Sequence, residues 1–148
     1  MQKKRKLLIE ITVLLLVALF FYTGLSKLID FKGFTYDLNN QPFSDSLTPV
    51  LKWLVPVSEI TIAAFLIFEG TRLMGLYASL ILMSIFTIYT ALVLLRVFEY
   101  VPCSCGGVIK YLTWPQHLVF NIFFVLMAYL AIRAYKIEEN KRIEYQGT

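Results

Sequence analysis

Four stretches of apolar sequence, each close to the length that crosses a bilayer, dominate this 148-residue chain. They run over about 7–29, 49–68, 72–98 and 115–135, and a transmembrane helix takes roughly 20 residues. Backbone that faces lipid has to satisfy its own hydrogen bonds, so each stretch is read as a helix. Composition agrees: the chain is 58% hydrophobic and 16% charged, where soluble domains run about 45–50% and about 25%. Four spans leave loops too short for an independent soluble domain, which excludes a soluble enzyme on a membrane anchor. The fold class expected is an all-α membrane protein, a four-transmembrane-helix bundle forming a single domain over 1–148.

The first span follows Lys3, Lys4, Arg5 and Lys6, a basic front like that of a secretory signal. Its apolar run is longer than a signal core and no small-x-small cleavage site precedes Lys27, so it is read as an uncleaved span. With the N-terminus inside, nine basic residues fall on the cytoplasmic side and five outside, the bias that orients membrane proteins. Both termini are therefore expected in the cytoplasm, and the chain is expected in a bacterial inner membrane. The formal charge of +4 sits largely at span edges, so the bilayer, not nucleic acid, is the expected partner.

The loops are unequal. The turn at Glu69, Gly70 and Thr71 makes spans two and three antiparallel neighbours. The outer loop 30–48 carries Asn39, Asn40, Gln41 and Pro42 as turn-formers. It is expected to hold a short helix lying on the membrane through Phe31, Phe34 and Leu38. The charged tail 136–148 is expected to fray. The sequence has no internal repeat and none of the inverted symmetry of transporters.

The second outer loop carries the two cysteines, in Pro102-Cys103-Ser104-Cys105-Gly106-Gly107. On the periplasmic side disulfides form and persist. Thiols one residue apart meet only in a tight turn, and strained, exposed bridges are the exchanging kind. The plainer alternative is a static staple or two spare thiols. Closing so small a loop removes little unfolded-state entropy, which favours redox exchange. Metal binding is not expected: Cys103, Cys105 and His117 supply three ligands at most, and zinc sites place two to four residues between cysteines and add a second ligand pair.

Beyond the cysteines, Thr113 and Gln116 have the spacing of a capping box and Pro115 suits a helix's first turn. The positive end of that helix points toward the cysteine loop and favours thiolate. His117 is the candidate proton shuttle, and Asn121, one turn deeper, a hydrogen-bond donor to a carbonyl. Either residue alone reads equally well as helix-packing polarity. Lys27 and Glu59 lie in the exterior halves of spans one and two. Charges in hydrocarbon are costly and usually paired, so an ion pair between them is expected, with Arg96 joining it or holding an anionic group; snorkelling of Lys27 and Arg96 to the interface is the equal alternative. Tyr89 and Thr90 read as ordinary packing. The convergence of Lys27, Glu59, Arg96, Cys103, Cys105, His117 and Asn121 near one surface marks a pocket, walled by Phe20, Phe21, Tyr22, Phe86 and Phe98, for a flat lipid-soluble electron carrier.

With these residues in view, the chain resembles the MauE branch of the DoxX-like membrane proteins over nearly its whole length. The resemblance rests on Thr23-Gly24-Leu25-Ser26-Lys27-Leu28, Gln41-Pro42-Phe43, Pro56-Val57-Ser58-Glu59, the Cys-x-Cys-x-Gly loop, and Leu112-Thr113-Trp114 with Asn121. It implies a four-helix bundle and a part in disulfide formation during maturation of a periplasmic methylamine dehydrogenase subunit. Other DoxX-like proteins are linked to quinone-coupled sulfur oxidation. Gly106 stands where the family loop commonly has an aromatic residue, which bears on partner docking. The expectation drawn from residues and resemblance together is a membrane thiol-disulfide redox protein. Cys103, Cys105 and His117 would be catalytic, and Lys27, Glu59, Arg96 and Asn121 would bind a membrane quinone. The partner would be an exported or thioredoxin-like thiol protein. Alternatives are a non-catalytic accessory or assembly subunit and a small transporter using Glu59 as a proton-coupled carboxylate.

Overall fold

The computed structural model describes residues 2–42, 44–98 and 112–146, and these are helical throughout apart from the connections. The elements are α1 (Gln2–Ile29), α2 (Phe31–Asn39), a 3-10 turn (Asp45–Leu47), α3 (Thr48–Ile67), α4 (Arg72–Leu94) and α5 (Trp114–Gln146). Four of them, α1, α3, α4 and α5, are long and apolar enough to cross a membrane. They pack as a ring in which α1 touches α3 and α5, and α4 touches α3 and α5. Consecutive spans run in opposite directions, so one end of the bundle carries both chain termini and the α3–α4 turn. The opposite, loop end carries α2 and the α4–α5 connection.

Each long helix turns one stripe inward. On α1, Ile9, Val13, Leu16 and Phe20 are buried, spaced alternately four and three residues apart, which keeps one face of a 3.6-residue helix on the core. On α5, Phe124, Ala128 and Ala131 follow the same rule. The small side chains let backbones approach, the usual means of helix association in lipid. Two glycines mark the tightest approaches. A Cβ on Gly24 of α1 would lie 2.9 Å from Ile60 Cγ1 and 3.2 Å from Glu59 Cβ. One on Gly75 of α4 would lie 2.9 Å from the Leu66 backbone nitrogen.

Ties at the terminal end are polar but peripheral. Arg72 Nη1 meets Glu10 Oε1 at 3.3 Å, and Arg5 Nη1 meets Glu138 Oε1 at 3.8 Å. The Thr71 hydroxyl donates to the Phe65 carbonyl at 3.0 Å and closes the α3–α4 turn.

Three expectations are corrected. The third span stops at Leu94, not residue 98. Arg96 N–H donates to the Val93 carbonyl at 3.1 Å and Val97 N–H to that of Leu92 at 3.2 Å, with Arg96 at φ 52°. This is a Schellman cap whose left-handed position holds arginine where glycine is usual, so no glycine announced it. Over 136–146 the tail is helical: α5 continues to Gln146, because this stretch lacks Gly and Pro and is rich in Glu, Lys and Arg. Finally, α2 does not lie with its apolar face on lipid. Asp30 caps it by accepting from Gly33 N–H at 3.1 Å, and Phe34 and Leu38 are buried against the bundle. Protein surface competes with lipid for an apolar face, and here the open loop end of the bundle supplies it.

Candidate functional site

Toward the loop end the inward stripes change character. The α1 stripe continues from Phe20 to Thr23 and Lys27. On α3 the buried positions include Glu59, on α4 Thr90 and on α5 Asn121. Between them lies a cavity of about 310 Å³, roofed by Phe34 and Leu38 of α2 and walled largely by apolar side chains.

Lys27 and Glu59 form the expected ion pair. Lys27 Nζ lies 3.0 Å from Glu59 Oε1 and 3.1 Å from Oε2, and it donates a longer bond to the Thr23 carbonyl at 3.4 Å. The Phe34 ring centroid is 5.8 Å away. The ammonium's three protons thus have three acceptors, and the carboxylate, with only 2% of its side chain exposed, has its counter-ion in place. Gly24 lets α1 come close to α3 beside this contact, since a Cβ there would lie 3.2 Å from both Glu59 Cβ and the Pro56 carbonyl oxygen.

Across the cavity, the Gln116 half of the expected capping box forms: Gln116 Oε1 accepts from Thr113 N–H at 2.9 Å. It starts the helix so that Trp114, His117 and Asn121 face the cavity. The His117 ring sits beside the backbone of Leu112 and Thr113. Its Nδ1 is nevertheless buried with no partner in hydrogen-bonding geometry among the described residues. Asn121 Nδ2 donates to Thr90 Oγ1 at 3.3 Å, and Thr90 donates onward to the Phe86 carbonyl at 2.7 Å.

Of the seven site residues read from the sequence, Lys27, Glu59, His117 and Asn121 line this one cavity. Arg96 does not: it is exposed beyond the end of α4. Cys103 and Cys105 lie outside the described residues, in the connection between Phe98 and Leu112. The Phe98 ring packs 6.2 Å from that of Tyr89, a cavity wall. Phe20 and Phe86 are walls as expected, but Phe21 and Tyr22 are exposed on the outer surface, because they fall off the inward stripe of α1.

Gln41, read from the sequence as a turn-former, and Tyr89 and Thr90, read as ordinary packing, also line the cavity. The Tyr89 hydroxyl donates to Gln41 Oε1, while Gln41 Nε2 donates to the Asp37 carbonyl at 3.1 Å. Together they latch the chain after α2 onto α4. The available signal was periodicity: Thr90 lies seven residues beyond the buried Met83, in register with the core stripe. Gln41 had no periodicity to mark it, only its place in the Gln41-Pro42-Phe43 motif, since its burial comes from a loop folding back.

A ring of four spanning helices enclosing an apolar cavity with polar groups at one pole defines a multi-pass integral membrane protein whose outer surface is solvated by lipid. The family described as methylamine utilisation protein MauE matches residues 5–134, and the chain belongs to it. Comparison with curated proteins and with solved structures gives no match.

Proposed function

We propose that this membrane protein of the MauE family is a thiol-disulfide redox protein of the bacterial inner membrane. Its Cys103–Cys105 pair would exchange electrons with an exported, thioredoxin-like thiol partner on the periplasmic side, and its cavity would serve a membrane quinone. The supporting observation is the placement of the cavity. It lies at the end of the bundle where α4 and α5 are joined by the cysteine segment, and Trp114 and His117, at the start of α5, line it.

A partner thiolate attacks one sulfur of the Cys103–Cys105 disulfide, that S–S bond breaks, and a mixed disulfide forms. The partner's second thiolate displaces the cysteine, leaving the partner oxidised and Cys103 and Cys105 as two thiols. Re-forming their disulfide releases two electrons and two protons, which a quinone accepts on becoming a quinol. The chain's own groups fit that demand. About 310 Å³ is at the small end of ligand cavities, enough for one substituted ring. His117 Nδ1 has no hydrogen-bond partner among the described residues, which suits it to take or pass a proton, and the Asn121–Thr90 pair offers polar contact in a largely apolar wall.

The same geometry weakens the transporter reading. A carboxylate that carries protons has to exchange its partner, and Glu59 is locked by two short contacts to Lys27. The test is thiol trapping of Cys103 and Cys105 in cells with and without respiratory quinone. The pair should accumulate as thiols when quinone is depleted; a redox state indifferent to quinone supply would sink the electron-transfer reading.

A further inference from the structure

We infer that the cavity opens sideways into the bilayer, between α3 and α4 past Ile85, and that it takes a neutral ring-headed lipid whose hydrocarbon tail leaves through that opening. Ile85 lines the cavity and is also 55% exposed on the outside of the bundle. The cavity therefore reaches the outer surface at that point. Ile85 lies nine residues before the end of α4, about 14 Å along the helix axis, which puts the opening within hydrocarbon and not at the water boundary.

The facing wall is built from Leu51 and Val55 of α3, both half-buried and both lining the cavity. Pro56 follows directly. It has no N–H, so the α3 hydrogen-bond ladder is interrupted beside the gap. The close ties between α3 and α4 lie at the other end, at Gly75 against Leu66 and at the Thr71 and Arg72 bonds to the Phe65 and Leu66 carbonyls. The two helices are held together at the terminal end and leave room toward the loop end.

The chemistry of the occupant follows from the charge pattern. Lys27 and Glu59 neutralise each other within 3.1 Å. An anionic or cationic head group would find no free counter-ion in that pair and would lose its own solvation. Of the other polar groups lining the cavity, Tyr89 is bonded to Gln41 and Thr90 to Asn121, and His117 and Asn121 stand on α5, which lies across the ring from α3. A neutral ring with hydrogen-bonding oxygens placed there would have its tail directed at the α3–α4 gap, where lipid replaces protein as its solvent.

This inference rests on the quinone reading and is tested separately from it. The purified protein in lipid nanodiscs would be titrated with two benzoquinones of identical ring, one carrying a decyl chain and one with no chain. Binding would be followed by quenching of tryptophan fluorescence, for which Trp114 lines the cavity. The chained probe should bind the wild-type protein the more tightly. Ile85→Trp, which fills the opening from a lipid-exposed position, should weaken the chained probe at least tenfold more than it weakens the chainless one. Ile81→Trp, one turn away, exposed and outside the cavity lining, should change neither. Equal binding of the chained probe to wild type and Ile85→Trp overturns the lateral opening and leaves the quinone reading standing. Failure of both probes to bind the wild-type protein overturns both.

Discussion

The two ends of this bundle are built on the same stripes and do opposite things with them. At the terminal end, Leu16 of α1, Leu66 of α3, Leu76 of α4 and Ala128 and Ala131 of α5 are fully enclosed together with the small polar side chains of Thr12 and Ser79, and the helices meet in a close-packed core. At the loop end the stripes carry Lys27, Glu59, Thr90 and Asn121, and space is left between the helices. Packing alone would fill both ends alike. A cavity lined by costly polar groups persists only where the surrounding contacts hold it open. Here the close-packed half, the Gly24 approach and the α2 roof supply that support. The terminal half is the frame and the loop half is the site.

The largest test of this contrast is the ion pair. Lys27→Met leaves Glu59 charged and unpaired in a site where 2% of its side chain is exposed, which should cost about 3–5 kcal/mol, read as a fall in detergent-solubilised Tm. Adding Glu59→Leu should recover most of it, since the apolar pair needs no counter-ion. If the double variant is as unstable as the single one, the pair is not what holds the two helices. Next comes the close-packed half: Leu16→Ala should cost about 2–5 kcal/mol. Leu51→Ala, at a half-buried cavity wall, should cost clearly less in the same melt, because space already exists beside it. Equal losses would erase the distinction between frame and site.

A smaller effect is expected at the helix contact. Gly24→Ala places a methyl 2.9 Å from Ile60 Cγ1 and should destabilise by about 1–3 kcal/mol. Gly70→Ala in the α3–α4 turn meets nothing within 4 Å and should leave the Tm unchanged. A change in stability close to zero is also expected for Thr90→Val combined with Asn121→Leu. Replacing both partners of one hydrogen bond with apolar groups of similar shape is close to neutral. Quinone-dependent re-oxidation of the cysteines should nevertheless fall, and a variant with wild-type re-oxidation kinetics would remove these two residues from the site.

Much of this architecture can be read without coordinates, and the reasons are specific. Spanning length and apolar composition define α1, α3, α4 and α5, because lipid permits little else. The Thr113–Gln116 cap was legible because it depends on neighbours three residues apart. Lys27 and Glu59 were paired from their depth alone, since a charge in hydrocarbon needs an opposite one. The end of α4 was misjudged because a Schellman cap usually shows itself through glycine, and here the left-handed position is Arg96. The continuation of α5 was missed because a charged tail and a charged helix have the same composition.

What the sequence determined by itself is therefore the solvent, the number of spans and the chemical types gathered near one end, all consequences of local composition and the cost of bare polarity in lipid. Only the tertiary structure decided which of those groups meet. Arg96 is turned outward by the cap that bends the chain, and Phe21 and Tyr22 by their angle on α1. Gln41 and Tyr89 are joined by a loop folding over the bundle. Helical angle and long-range closure set these outcomes, and both depend on residues far apart in the chain finding one another.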